Sequence, residues 1–249
     1  MKKTIISILA LVFIYSCTPL PFPYILLDSL NTFLFMDLRD FKVYKTVTIG
    51  GQVWMAENLA YLPAVNDPGD GSEDAGHTDD AYYYVNGYGG EGIDENVADA
   101  KATTSYQTYG VLYNWTAAQS ACPEGWHLPS DDEWKELEMY LGISQEQADS
   151  IGERGTDQGG KLKEAGTSHW FNPNTGSTNE SGFTALPGDC RHTDGSILDV
   201  GSNGYWWSST KLGTKTAWCR GLEYYDSNVN RTVYKQEFGF SIRCLRDDD

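Results

Sequence analysis

Four histidines, His77, His127, His169 and His192, stand apart along the chain, and no HExxH zinc spacing, GxSxG nucleophile elbow or glycine-rich phosphate loop accompanies them. His127 lies between Trp126 and Leu128, which suits a packed or capping ring better than a base. Among the acids, Asp189, Asp199, Glu223 and Asp226 could supply the carboxylate pair that glycoside hydrolysis requires, but chain order does not bring two of them to the needed separation. Asp67, Asp70, Glu73, Asp74, Asp79 and Asp80 crowd the stretch 66–80 and invite a calcium reading. A calcium helix-loop-helix needs glycine at its sixth position and glutamate at its twelfth, and the spacing here departs from that, so a solvated loop is expected. The triplet Asp131, Asp132 and Glu133 reads as the negative charge that a helix start attracts. No catalytic set, no metal-ligand set and no cofactor is therefore expected. Aromatic faces remain as recognition chemistry: Trp170, Trp206, Trp207 and Trp218 could present flat rings to a sugar or a peptide. Strand alternation puts one of the adjacent Trp206 and Trp207 inside whether or not a ligand exists.

The five cysteines carry a further chemistry, which depends on compartment. Lys2 and Lys3 precede an apolar run from Thr4 to Tyr15 that closes at Ser16 and Cys17, the form of a secretory signal with a lipoprotein cleavage site. Ile14, Tyr15 and Ser16 make a loose lipobox, and the run falls short of the roughly 20 residues that a spanning helix takes. Residues 1–17 are thus expected to be the signal ending at a lipidated Cys17, with 18–36 an apolar, proline-interrupted leader that packs on the domain or lies near the membrane. Residues 37–246 form one domain, and 247–249 an acidic tail. The formal charge of −17 becomes more negative still when Lys2 and Lys3 leave with the signal. Nucleic acid is disfavoured as a partner, since phosphate recognition needs a basic face. Attraction to anionic lipid heads is disfavoured on the same ground, which leaves the lipid on Cys17 as the membrane attachment.

The elements that would position these groups centre on Tyr109 to Trp134. Asn114 is a good N-cap, and the helix after it places Trp115, Ala118, Gln119 and Cys122 on one face before Pro123 stops it. Pro129 introduces a second helix, with Ser130 and Glu133 at capping-box spacing, a stripe of Trp134, Leu137 and Leu141, and Gly142 as its end. Upstream, Val43 to Ile49 and the return from Val53 read as a hairpin turned at Gly50 and Gly51. The tyrosines from Tyr82 suggest another aromatic hairpin. Downstream, Ser144 and Gln147 cap a short helix reaching towards Gly152, and Gly155 to Gly204 has long-loop composition with aromatic anchors Trp170, Phe171 and Phe183. Strands are expected at Tyr205–Thr210, Ala217–Tyr225, Val229–Tyr234 and Phe238–Leu245, with a turn at Asp226–Asn228. Four cysteines besides Cys17 allow three pairings.

Six segments carry a resemblance: TVTIGGQVWMAENL (46–59), YGVLYNW with CPEGWHLPSDDEW (109–134), GGKLKEAG (159–166), SGFTALPGD (181–189), YWWSST (205–210) and GFSIRC (239–244). In this order they are similar to the Fibrobacter succinogenes major paralogous domain, a family of bacterial envelope proteins within the C-type-lectin-like superfamily. The resemblance implies an α+β, C-type-lectin-like fold: short helices packed on small antiparallel sheets, a long loop region, and a disulfide tie. It implies a bond from Cys122 to Cys244, which leaves Cys190 for Cys219. It also implies a cell-envelope location. With the lipid on Cys17 and the tryptophan faces, the expectation is an outer-membrane lipoprotein with a binding module for a glycan or protein ligand, without turnover. A structural or adhesive envelope component acting through protein contacts is the alternative. An enzyme, either a hydrolase or one like the superfamily's formylglycine-generating members, ranks below both, because those members use thiols that disulfides would remove. The Glu-Pro-Asn, Gln-Pro-Asp and Trp-Asn-Asp signatures of calcium-dependent sugar binding are absent.

Overall fold

The structure, a computed structural model, describes residues 24–26, 32–71, 79–89, 96–197 and 200–248, the first of these as backbone only. The expected signal and Cys17 lie outside the described residues. The chain begins with β1 (Tyr24–Leu26), β2 (Thr32–Met36), β3 (Val43–Ile49) and β4 (Gln52–Met55), then β5 (Tyr83–Tyr84). A helical stretch follows: α1 (Val97–Ala102), α2 (Thr104–Tyr109), β6 (Leu112–Tyr113), α3 (Trp115–Ala121), β7 (Trp126–His127), α4 (Asp131–Tyr140), α5 (Gln145–Asp149), β8 (Gly152–Arg154) and α6 (Gln158–Leu162). After a long connection come β9 (Asn203–Lys211), β10 (Thr216–Glu223), β11 (Val229–Lys235) and β12 (Leu245–Arg246). Small antiparallel sheets result: a six-stranded one in the order β1-β2-β3-β4-β12-β7, a four-stranded one in the order β8-β11-β10-β9, and the pair β5-β6.

Local signals hold where the physics is local. Asn114 accepts from the Ala117 amide at the start of α3. Ser130 with Glu133 and Ser144 with Gln147 both form complete capping boxes. The inward face of α3 is Trp115, Ala117, Ala118 and Ala121, while Gln119, expected inside, is exposed. The tyrosines from Tyr82 do not fold back locally, because β5 pairs with β6 instead. Thr32–Met36, read from sequence as the end of the leader, pairs along its whole length with β3, and the Phe35 ring lies 4.9 Å from that of Trp126.

Two apolar cores share the strands between them. Tyr44, Met55, Trp207 and Cys219 belong to one, and Val47, Ile49, Trp54, Trp206 and Leu222 to the other. Alternation thus sends neighbouring side chains of β3, β4, β9 and β10 to opposite faces, and both faces are covered. The final segment lies between the sheets. The carbonyls of Phe240, Ser241, Ile242 and Cys244 accept from Tyr113, Trp207, Leu59 and Met55 in turn. Four different neighbours cannot make one ladder, so the expected strand Phe238–Leu245 appears only as isolated bridges and the short β12.

Cys122, the C-cap of α3, is bonded to Cys244. The expected second bond is absent: Cys190 and Cys219 are buried thiols. Cys219 is fixed on a central strand by pairing with Trp207 and Thr232, and Cys190 by the bridges of Arg191 to Ile197 and Gly239. Both thiols lie in one apolar cluster, where an unbonded cysteine packs as a small apolar side chain. Burial pushes both thiols above their ordinary value.

Candidate functional site

The four tryptophans proposed from sequence as exposed binding rings are inside. Trp170, Trp206, Trp207 and Trp218 are each 8 % exposed or less. Trp170 donates its indole N–H to the Ala185 carbonyl, Trp206 to Asn58 Oδ1 and Trp207 to the Tyr113 carbonyl. The Arg231 guanidinium lies 3.6 Å from the centre of the Trp218 ring. Their indoles are consumed by the fold, as buried tryptophans generally are.

The four-stranded sheet is closed over its own glycine. On β10, Gly221 stands opposite Tyr205 of β9 and Asn230 of β11, and Asn230 stands opposite Glu153 of β8. A side chain on Gly221 would meet Tyr205 at 3.2 Å and Asn230 at 3.5 Å, so these two side chains cover a buried stretch of backbone. Glu223, two residues along β10, projects on the same side. Glu223 Oε2 and Asn230 Oδ1 are buried acceptor atoms with no hydrogen-bond partner in the protein. Such groups are uncommon and ask for an explanation.

The long connection supplies an aromatic rim. The Phe171 ring lies 6.0 Å from Tyr224, and Tyr224 5.3 Å from Tyr225, both edge-on. Phe171 and Tyr225 are 49 % and 55 % exposed. Phe171 is seated by its amide on the Gly201 carbonyl, 2.8 Å, and at Gly201 any Cβ would fall 2.5 Å from the Phe171 ring. A hydrogen bond to Glu223 pushes the Tyr225 hydroxyl up to about 12. Burial, Asp226 and Glu223 raise Glu153 above the usual carboxylate range.

A buried ammonium ties rim to sheet. Lys163 Nζ donates to the carbonyls of Thr175, Glu223 and Asp226 at 3.0, 2.9 and 2.6 Å, and desolvation lowers its pKa to about 8. The GlyGly before it has a reason in packing. A Cβ on Gly159 would lie 2.0 Å from the Asn228 carbonyl oxygen and one on Gly160 2.1 Å from that of Gly176. Asp226 caps its own turn, accepting from the amides of Ser227 and Asn228.

The remaining sequence candidates do not converge. His127 bridges Asp247 at 2.6 Å and Glu133 at 2.9 Å, His169 pairs with Glu164, and the His192 ring packs 5.2 Å from Phe238. Burial and these two carboxylates act on His127 in opposite senses, and the carboxylates prevail, raising its pKa. His77, Glu73, Asp74 and Asp199 lie outside the described residues. Asp189 is buried against Ser202 and the Cys190 amide. The described part of the acidic loop is held by a guanidinium: Arg191 donates to the carbonyls of Pro68 and Asp70 at 2.8 and 2.7 Å. Among the described residues no group of three His, Cys, Asp or Glu is placed to hold a metal ion.

A cleft of about 140 Å³ lies elsewhere, lined by Asn58, Tyr106, Glu164 and Thr184 among others. Its inner polar groups are already matched. Asn58 donates to the Tyr109 carbonyl and Ser241 Oγ and accepts from Trp206 and Arg243, and Glu164 takes His169. Sequence reasoning missed the rim of Phe171 and Tyr225, and the signal available was the pair Tyr224 and Tyr225 at the end of an expected strand, next to its turn.

No curated protein and no solved structure matches the chain. Residues 47–246 match the description of the Fibrobacter succinogenes major domain. Most of the chain, from within β3 to the end of β12, lies inside that match, and the chain belongs to the Fibrobacter succinogenes major domain family.

Proposed function

We propose that this chain is a lipid-anchored cell-envelope protein whose C-type-lectin-like domain binds a glycan, without turnover, at the aromatic rim of the long connection. The observation that carries the reading is the exposure of Phe171 and Tyr225, 49 % and 55 %, on either side of Tyr224. Sugar C–H faces stack on such rings, and the Tyr225 hydroxyl can exchange hydrogen bonds with sugar hydroxyls. The lectin-like reading draws support from the bond between the end of α3 and the last segment, and from the long connection that builds the rim. The anchor and the envelope location rest on the Lys2–Cys17 pattern, which lies outside the described residues.

The test is binding of the full chain, disulfide intact, to an array of glycans and cell-wall fragments with and without calcium. Saturable, calcium-independent binding to one chemical class is expected, lost in Phe171→Ala and Tyr225→Ala variants that melt normally. A folded chain that binds no glycan, and is crosslinked in intact cells only to envelope proteins, would replace this reading with the structural or adhesive one.

A further inference from the structure

The turn joining β2 to β3 does something the packing of the domain does not ask of it. Phe41 adopts φ 60°, a left-handed conformation that an aromatic residue rarely takes, and yet its ring is 71 % exposed. Leu38 and Val43 beside it are 65 % and 47 % exposed. The strain is held in place from within. The buried Asp37 carboxylate accepts from the Arg39 amide at 3.0 Å and from Arg39 Nε and Nη2 at 2.9 and 2.6 Å. The Phe41 amide donates to the Asp37 carbonyl, 2.7 Å, and the Asp37 amide to that of Lys42, 2.9 Å. A rigid loop thus spends backbone strain to turn a phenylalanine outward, which is the pattern of a functional surface.

We propose that this turn is a membrane-docking wedge, with Leu38, Phe41 and Val43 seated in the interface of the bilayer that carries the chain's lipid. The inference rests on the anchoring reading above. Strand register points to the bilayer rather than to another occupant. Tyr24 of β1 pairs with Phe35 of β2, and Phe35 with Tyr44 of β3, so the chain enters the sheet at the same end as the turn. At most about 25 Å of extended chain separates Cys17 from Tyr24, whereas a domain of this size is roughly 40 Å across. A lipid on Cys17 therefore keeps this end of the sheet, and not the opposite one, against the membrane. Local charge permits it: Arg39 pairs with Asp37 and Lys101 with Asp40, so the turn does not share the strongly acidic balance of a chain of formal charge −17. Apolar side chains flanked by Lys and Arg stems suit the headgroup boundary.

The experiment places a bimane probe at Phe41→Cys in the full, lipid-modified chain, reconstituted in phosphatidylethanolamine–phosphatidylglycerol vesicles. Tyr140→Cys is the control, because Tyr140 is exposed and packs against Gly50 at the other end of β3, about 20 Å away. The native thiols Cys190 and Cys219 are buried, and wild-type chain gives the labelling background. Expected is blue-shifted emission at position 41, quenched several-fold more by nitroxide-bearing lipid than at position 140. A probe at 41 quenched by aqueous iodide while the chain sediments with vesicles would overturn the wedge and leave the anchor standing. A probe shielded from both quenchers would also overturn it, in favour of a protein contact. A chain whose N-terminus carries no lipid by mass spectrometry, and which stays out of the vesicles, would remove the anchor and the wedge together.

Discussion

Asp131 answers two guanidinium groups at once. Its carboxylate accepts from Arg220 at 2.8 Å and from Arg231 at 2.6 Å, while Glu138 takes Arg220 at 2.6 Å and Arg154 beside it. Burial works against the charge on Asp131, but the hydrogen bonds and charge of Arg231 and Arg220 prevail and hold it down at about 2. Asp131→Asn strands these cations inside and is expected to cost about 3–5 kcal/mol in urea unfolding. Asp132→Ala, on the solvent side of the same helix turn, should cost under about 1 kcal/mol. The pH dependence follows from the sign of each shift. The folded pKa of Asp131 is below its ordinary 3.8, so its contribution is complete above that value and is lost as pH falls towards 2. His127 is raised above 6.5, so its contribution is complete below that value and is lost as pH rises through the folded pKa. The melting-temperature gap between wild type and His127→Gln should therefore be widest in mild acid and close in mild alkali.

At the scale of elements, the turn before β3 and the start of α6 make opposite predictions about glycine-like backbone. Phe41→Asn places a residue that tolerates the left-handed region where the lost ring was mostly in water, and should raise stability by about 1 kcal/mol in a denaturant titration. Gly159→Ala puts a Cβ 2.0 Å from a backbone oxygen and should destabilise by about 3 kcal/mol or more. The same scale decides what was legible beforehand. A capping box spans Ser130 to Glu133, so its physics is contained in four letters of sequence. The hairpin turned at Gly50 and Gly51 is readable for the same reason. Trp206 and Trp207 are a harder case: alternation assigns them opposite faces, but only the two separate cores show that neither face is open. The partners of Asn58 and Arg243 are 185 residues apart, and those of Asp131 and Arg220 are 89 apart. Nothing local to either side chain announces such a pairing. The rim was hidden likewise, since Phe171 meets Tyr224 only once the long connection has folded back onto the end of β10.

For the whole molecule, one disulfide and two buried thiols make a sharper statement than cysteine parity. Alkylation in denaturant without reductant should label Cys190 and Cys219 and spare Cys122 and Cys244, as peptide mapping would show. Converting Cys122 and Cys244 to serine should cost about 2–5 kcal/mol, since the bond closes a loop of sequence separation 122. The order of the larger sheet carries a temporal consequence. β12 stands between β4 and β7, so Leu245 must arrive before Trp54 and His127 can be joined through it. Hydrogen bonding of Met55 and Leu59 waits on Cys244 and Ile242 as well. A ribosome delivers the chain from its other end, so the first hairpin waits for its neighbour until the domain's final segment has emerged. The larger sheet is thus a structure that the domain can close only once its C-terminal segment is free.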